Sequence, residues 1–242
     1  MPVSFSIFAY KVSVYKLKDY NKLQEMKKIV SLVVCLVWVV SGFMATAQND
    51  PKAQTILDAM SKRYKDMPSF KAKFSFTLDN PQAKVKESSE GDIEVKGAKF
   101  HLKMGNQEIF NNGTTVWTYL KDVNEVNISS YEPEENEVTP TKIYTIYKKG
   151  YKYHFLEEKA YNGVAYEVIE LNPEDIKKSK FFKIKIEVSK GDKSVRSWKI
   201  YEKNGSVYTY MIKSFTPNLK LEDTYFNFDK SKYAGVSIED LR

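Results

Sequence analysis

The sequence predicts a mainly β protein of the α+β class, with one antiparallel sheet that curls and two helices. Three observations support this prediction. Apolar and polar residues alternate along several segments after residue 70, turn signals separate these segments at short intervals, and helical periodicity is confined to two places. Strands that follow one another so closely pair as antiparallel neighbours, whereas parallel βαβ units need a helix after each strand.

A helix is predicted ahead of the strands. Asp50 suits the N-cap because its carboxylate accepts hydrogen bonds from the first backbone N–H groups, and Pro51 suits the first helical position. The apolar residues that follow at helical spacing are Ile56, Leu57, Met60 and Tyr64. The helix is predicted to end at Met67-Pro68-Ser69.

The strands are predicted from period-two alternation, which places every second side chain on one face of a sheet. The apolar positions of this pattern are Phe70, Ala72, Phe74, Phe76, Leu78, Ile93, Val95, Phe100, Leu102, Met104, Thr115, Trp117, Tyr119, Phe182, Ile184, Ile186 and Val188. Hairpin turns are predicted at Asn111-Asn112-Gly113, Lys190-Gly191-Asp192 and Asn204-Gly205. Two further strands, Val195–Tyr201 and Val207–Ser214, follow the last two turns.

A second helix is predicted in the middle of the strands. It follows an acidic, loop-like stretch, begins at Thr139-Pro140 and ends at Gly150. Its apolar face comprises Ile143, Ile146 and Tyr147. Such a helix either plugs the open end of the sheet or forms a mobile lid over a cavity.

The N-terminal region has the pattern of a secretory signal that starts at Met26. Lys27 and Lys28 precede an apolar run, Ile29–Met44, and Ala45-Thr46-Ala47 gives the small-residue pattern at which signal peptidase cleaves. We therefore expect residues 26–47 to be a cleaved signal peptide, with cleavage after Ala47, and residues 48–242 to form one periplasmic domain. An uncleaved membrane anchor is the alternative.

Residues 1–25 resemble neither a signal nor a domain. The simplest account is an upstream extension that is not translated, with Met26 as the initiator, and the alternative is a long positively charged leader. Removing residues 1–47 lowers the net charge from +7 to +3, because six lysines and two acidic residues are lost. With no cluster of arginines and a secretory signal, the sequence gives no support to nucleic-acid binding.

The search for catalytic or metal-binding patterns argues against an enzyme. The only cysteine, Cys35, lies in the apolar run, and Val34 before it does not fit a lipoprotein acylation site. His101 and His154 lack partners at metal-ligand spacing, so we expect no metal and no cofactor. What remains is an aromatic surface on a curved sheet, which is either a filled core or the wall of an apolar cavity.

Three stretches together resemble the LolA family, the periplasmic carriers of outer-membrane lipoproteins. They are Ile56–Phe76 with its SFKAKF segment, Gly91–Lys96 with Lys99-Phe100 and Asn112–Tyr119, and Phe226–Phe228 with Gly235–Asp240. The family carries Arg-Pro where Gly97-Ala98 stand here, and a tryptophan where Leu102 stands. In the best-studied branch of the family that arginine holds the lid closed through hydrogen bonds to backbone groups, and Gly97 has no side chain to form such a latch.

The resemblance implies an incomplete antiparallel β-barrel, closed by the N-terminal helix and a lid helix and enclosing an apolar cavity for acyl chains. The expected cavity wall comprises Phe74, Phe76, Phe100, Leu102, Trp117, Tyr119, Ile184 and Ile186, and the expected lid face comprises Ile143, Ile146 and Tyr147. The implied partners are acylated lipoproteins, an ATP-driven lipoprotein-releasing complex of the inner membrane and an outer-membrane acceptor. The family is typically monomeric.

A second hypothesis of another class remains open at this point. The same fold can serve an envelope sensor or assembly factor, which binds a protein partner along an open sheet edge. The two hypotheses differ in what binds the protein: a range of acylated lipoproteins, or one fixed protein partner.

Overall fold

A computed structural model describes residues 49–132 and 143–242, which belong to one compact unit, Asn49–Arg242. The predicted extension (1–25), the predicted signal peptide (26–47) and the predicted start of the second helix at Thr139 lie outside the described residues. No helix within the described residues is long and apolar enough to cross a membrane.

The described residues confirm the prediction of a mainly β fold with a helix ahead of the strands. The helix, α1, spans Pro51–Asp66. The strands are β1 (Phe70–Asn80), β2 (Val85–Lys96), β3 (Lys99–Met104), β4 (Gln107–Asn111), β5 (Thr115–Leu120), β6 (Glu125–Ser130), β7 (Tyr151–Tyr161), β8 (Val164–Pro173), β9 (Phe181–Ser189), β10 (Val195–Glu202), β11 (Val207–Pro217) and β12 (Ser237–Asp240). Short 3-10 helices cover Ile146–Lys148, Asp223–Phe226 and Lys230–Lys232.

The twelve strands in the described part of the chain belong to one sheet in the order β12-β6-β5-β4-β3-β2-β1-β11-β10-β9-β8-β7. Every neighbouring pair is antiparallel except β12, which pairs with β6 in parallel. The prediction of a large antiparallel sheet is confirmed, with short β12 as a parallel strand at one edge. Within residues 49–132 and 143–242, the two edge strands, β7 and β12, do not pair with each other, so the curled sheet that these residues form is open and not a closed barrel.

Helix α1 packs on one face of the sheet, which we name the inner face. The Asp50 side chain caps the helix, since its Oδ1 accepts hydrogen bonds from the backbone N–H of Lys52 at 2.8 Å and of Ala53 at 3.4 Å. The residues that α1 buries include all four of the predicted apolar positions: Ala53, Ile56, Leu57, Met60, Ser61 and Tyr64. The sheet and helix therefore share one apolar core.

The opposite face, the outer face, is covered over β3–β5 by residues 219–236, which we name the C-terminal segment. Three of its aromatic rings contact rings of the sheet: Tyr225 meets His101, Phe228 meets Phe110, and Tyr233 meets Tyr119. Asp223 forms ion pairs with Lys96 at 2.9 Å and Lys99 at 2.8 Å. Apolar side chains are thus buried on both faces of this half of the sheet.

The second helix is not formed over the part of its predicted span that is described. Residues 143–145 form a turn, and only Ile146–Lys148 is helical, as a single 3-10 turn. The run from Ile143 to Tyr147 contains β-branched and aromatic residues, which lose side-chain freedom in an α-helix. Ile143, Tyr144 and Tyr147 are buried against the core without a regular helix, so the free-energy gain from their burial does not require one.

Candidate functional site

An apolar cavity of about 180 Å³ lies on the inner face, bordered by α1, β1–β3, β10, β11 and the turn at 143–145. Its lining residues are Tyr64, Phe70, Ala72, Phe74, Ile93, Leu102, Met104, Ile143, Tyr144, Val195, Trp198, Tyr210, Ile212 and Phe215. None of these side chains carries a charge at neutral pH, and the only polar side-chain atoms among them are tyrosine hydroxyls and the indole N–H. Such a lining suits an apolar ligand.

The register of strands β1–β3 determines which residues form the floor of the cavity. Ala72 on β1 lies opposite Ile93 on β2, and Ile93 lies opposite Leu102 on β3, so the three side chains share the inner face. Beside them, Phe74 lies opposite Gly91. A Cβ atom at Gly91 would lie 2.5 Å from Cζ of Phe74, so the glycine makes room for this ring at the cavity wall.

Stacked aromatic rings form the opposite wall. Trp198 on β10 and Tyr210 on β11 are partners in the register, and their ring centroids are 5.0 Å apart at an interplanar angle of 14°. Phe70 and Phe215 stack at 5.2 Å. Burial raises the pKa of Tyr210 because the surroundings disfavour a phenolate, so this wall stays uncharged in the physiological range.

Tyr64 holds the helix, the sheet and the turn together at the cavity rim. Its hydroxyl accepts a hydrogen bond of 3.0 Å from the backbone N–H of Val195, and its ring stacks on Tyr144 at 5.1 Å and 10°. Burial raises its pKa to about 12. Tyr144 is thereby fixed over the cavity, which it lines together with Ile143.

Nine of the eleven predicted wall and lid residues lie on the inner face, where they fall into two groups. Phe74, Leu102 and Ile143 line the cavity. The others belong to the surrounding core without lining the cavity: Phe76, Phe100, Ile184, Ile186, Ile146 and Tyr147. Tyr147 donates a hydrogen bond from its hydroxyl to Asp58 on α1, which ties the 3-10 turn to the helix.

Trp117 and Tyr119 lie on the outer face, which corrects their assignment to the cavity wall. Trp117 is opposite Phe110 across β4 and β5, and Phe110 contacts Phe228 of the C-terminal segment. Tyr119 contacts Tyr233 with ring centroids 4.6 Å apart. The strand alternates as predicted, but its aromatic face is covered by the C-terminal segment and not by α1.

The predicted cavity wall did not include several residues of β10 and β11 that line the cavity. Trp198, Tyr210 and Ile212 line the cavity, and Phe215 closes it near α1. These strands were predicted, and Trp198 and Ile200 on β10 lie opposite the core residues Ile186 and Ile184 on β9. The register between β9 and β10 would have placed Trp198 on the inner face.

Polar side chains gather under the C-terminal segment on the outer face. His101 Nε2 and Glu108 Oε1 are 2.7 Å apart and both side chains are buried. Burial lowers the pKa of His101, and this effect outweighs the hydrogen bond that His101 donates to Glu108. Burial opposes ionisation of Glu108, yet hydrogen bonds from His101 and the charge of Lys103 hold the pKa of Glu108 below its usual value.

This polar cluster does not form a metal site. Within residues 49–132 and 143–242, no group of three His, Cys, Asp or Glu side chains is arranged to hold a metal ion. The second histidine, His154, lies 3.8 Å from Glu170 on the outer face, and its side chain is about half exposed.

The family profile described as "Outer membrane lipoprotein carrier protein LolA" matches residues 65–229. No curated protein sequence matches the chain. The solved structure of an uncharacterised conserved protein from Thermus thermophilus has a TM-score of 0.51 at 13% identity, covering 77% of this chain and 98% of that one, and so has a similar fold.

Two further solved structures are more distant. A LolA superfamily protein from Nitrosomonas europaea has a TM-score of 0.40 at 14% identity, covering 73% of this chain and 97% of that one. The MucA/MucB complex of Pseudomonas aeruginosa gives a TM-score of 0.37 at 8% identity, covering 74% of this chain and 61% of that one. The family profile spans well over half of the chain, and the chain therefore belongs to the LolA family.

Proposed function

We propose that the protein is a periplasmic carrier, which binds acyl chains of lipoproteins in the inner-face cavity and shuttles them from the inner to the outer membrane. The observation that carries this proposal is the wholly uncharged lining of the cavity, from Phe70 and Phe74 on β1 to Trp198 and Tyr210 on the far wall. Among the described residues, no nucleophile–base pair or metal site borders it, and the family is one of carriers.

The energetics of acyl chains suit a carrier. Burial of a CH₂ group is worth about 0.8 kcal/mol, so a 16-carbon chain exposed to water costs on the order of 12 kcal/mol. An apolar cavity removes that cost but gains almost nothing relative to a membrane, which is equally apolar. Loading therefore needs a driven donor, and release needs an acceptor, as expected of an inner-membrane ATP-driven complex and an outer-membrane acceptor.

The segment 143–148 serves as the lid in this proposal. Gly97 stands where the family has its lid-holding arginine, so other contacts must keep this lid in place. The stacking of Tyr144 on Tyr64 and the hydrogen bond from Tyr147 to Asp58 supply such contacts. Both join the segment to α1.

The proposal is tested by photo-crosslinking in cells from position 102, with position 117 as the matched control. Both positions lie on neighbouring hairpins of the same sheet half, but Leu102 lines the cavity and Trp117 is on the outer face. We expect acylated lipoproteins among the adducts from position 102 and not from position 117. Adducts that contain no acylated protein from either position would contradict the proposal.

A second candidate function is suggested by the free edge of the sheet. The first half of edge strand β7 is covered, because Asn49 and Asp50 hydrogen-bond to Tyr153 and Phe155. Among the described residues, no backbone group pairs with the free edge over 156–161. An envelope sensor or assembly factor would bind a polypeptide there by adding a strand. One fixed, non-acylated protein that co-purifies and crosslinks from position 158 would favour this candidate.

A further inference from the structure

We infer that the cavity receives a single acyl chain, which enters through a second concavity between the C-terminal end of α1 and the β2–β3 turn. We name this concavity the vestibule. Its volume is about 440 Å³, and residues that line it alone include Lys65, Met67, Gly97, Ala98, Tyr131 and Thr145. The inference rests on the proposed function and specifies the route and the number of chains.

The vestibule and the cavity adjoin each other at three aromatic residues. Tyr64, Phe70 and Tyr144 line both spaces, so their rings form the boundary between them. The rings of Tyr64 and Phe70 meet edge to face at 5.8 Å, and those of Tyr64 and Tyr144 stack at 5.1 Å. A chain that passes between these rings exchanges one apolar contact for another, so the passage requires no polar group to be buried.

The mouth of the vestibule is formed by small residues. Gly97 and Ala98, at the β2–β3 turn, are exposed, and a Cβ atom at Gly97 would meet no other atom within 4 Å. Lys65 is the charged residue of the lining and is exposed at the end of α1. An acyl chain can therefore point inward while its polar end stays in water beside the Lys65 ammonium group.

The volumes of the cavity and the vestibule limit the number of acyl chains that the protein can hold. Ligand pockets usually enclose about 300–1,000 Å³, and the cavity alone, at about 180 Å³, is smaller than that. At about 30 Å³ for each water-sized group, the cavity holds roughly six chain carbons, and cavity and vestibule together hold roughly twenty. One long acyl chain fills both spaces, and these two spaces then leave no room for a second chain of that length.

The test measures binding of saturated fatty acids of eight to eighteen carbons to the purified protein, by displacement of a fluorescent dansyl fatty acid. Ala98→Trp places a bulky side chain at the mouth. Ala160→Trp is the matched control, because Ala160 is also exposed but lies on edge strand β7, away from both spaces. Circular dichroism and thermal unfolding verify that both variants fold.

For the unsubstituted protein we expect affinity to rise about fourfold for each added CH₂ until the chain fills both spaces. For Ala98→Trp we expect at least a tenfold loss of affinity for the sixteen-carbon acid, less than a twofold change for the eight-carbon acid, and slower association for both. Ala160→Trp should behave as the unsubstituted protein does. Native mass spectrometry should find one acid bound per chain.

Two results would overturn the inference without affecting the proposed function. They are unchanged affinity and association rate of the sixteen-carbon acid in Ala98→Trp, which would place the route elsewhere, and two or three acids bound at once. If no acyl probe binds the unsubstituted protein, the proposed function fails together with the inference.

Discussion

At the scale of single residues, the tightest packing beside the cavity is between Phe74 and Gly91. A Cβ atom at position 91 would lie 2.5 Å from Cζ of Phe74 and 2.9 Å from the carbonyl oxygen of Lys103. The Phe74 ring borders the cavity, into which it can shift, and the carbonyl belongs to the β2–β3 ladder. The shape of the cavity therefore depends on the absence of a side chain at this position.

We predict that Gly91→Ala lowers the free energy of unfolding by about 1–3 kcal/mol, the usual cost of overpacking, and weakens acyl binding because the Phe74 ring moves into the cavity. Gly191→Ala is the control, since its Cβ would make an ordinary contact of 4.0 Å with Ser189. Urea unfolding of both variants checks this. Equal stability of the two would show that the Phe74 ring has free space to move.

Two tyrosine hydroxyls near the cavity should differ in their contribution to stability. Tyr64→Phe leaves the buried N–H of Val195 without its acceptor, which costs about 1–3 kcal/mol. Tyr147→Phe removes a hydrogen bond to Asp58, which is exposed and can bind water instead, so we expect a loss of only about 0.5–1 kcal/mol. Thermal unfolding checks the order, and a larger loss for Tyr147→Phe would contradict it.

At the scale of secondary-structure elements, Asp50 joins α1 to the edge of the sheet. Its Oδ1 caps the helix, and its Oδ2 accepts a hydrogen bond of 2.8 Å from the backbone N–H of Phe155 on β7. The backbone N–H groups that donate to Asp50 lower the pKa of its carboxyl group, and the N–H of Phe155 has the largest effect. One carboxylate therefore stabilises the start of the helix and covers part of the edge strand.

We predict that Asp50→Ala lowers the free energy of unfolding by about 1–2 kcal/mol, as loss of an N-cap does, and increases hydrogen exchange at both Lys52 and Phe155. Asp50→Asn is the matched variant. Its single carbonyl oxygen keeps the cap but cannot also serve Phe155, so only the exchange at Phe155 should rise. A rise at both sites in Asp50→Asn would mean that the two roles are not separable.

Alternation along the sequence predicted most strands but could not locate the bulges. The register shifts near Phe155 on β7, at Arg196 on β10 and near Phe182 on β9. The last shift leaves Phe182 exposed and buries Phe181 in its place. A bulge is set by the pairing of two strands, and a single strand read alone carries no signal for it.

At the scale of the whole molecule, the sheet buries apolar side chains on both faces of one half. The sequence could not show which face of β5 points toward the cavity. Trp117 and Tyr119 are large aromatic residues that would suit a cavity wall equally well. The face that carries Trp117 and Tyr119 is the outer one because the C-terminal segment covers it. This segment lies about a hundred residues further along the chain and contacts Tyr119 through Tyr233. Long-range contacts of this kind are not visible in local periodicity.

Burial of His101 under the C-terminal segment should make global stability depend on pH. Its pKa in the folded protein lies below the ordinary value of 6.5, because burial disfavours the imidazolium. The unfolded chain therefore binds a proton that the folded protein does not. We expect the free energy of unfolding to fall as pH drops below about 6.5.

Thermal unfolding between pH 7.5 and pH 5 measures this dependence. In His101→Gln the slope should flatten in that range, since the glutamine can still donate to Glu108 but does not titrate. His154→Gln is the control, because the His154 side chain is about half exposed, and it should retain the slope. An unchanged slope in His101→Gln would assign the dependence to other groups.

The open seam between β7 and β12 has a consequence for cargo size. A closed barrel can widen only by breaking a ladder of hydrogen bonds between two strands, whereas here no such ladder joins the two edges. The curvature of the sheet can therefore relax while every existing strand pair stays intact. What limits the interior to one chain is therefore side-chain packing against α1 and the turn at 143–145, and not the pairing of the strands.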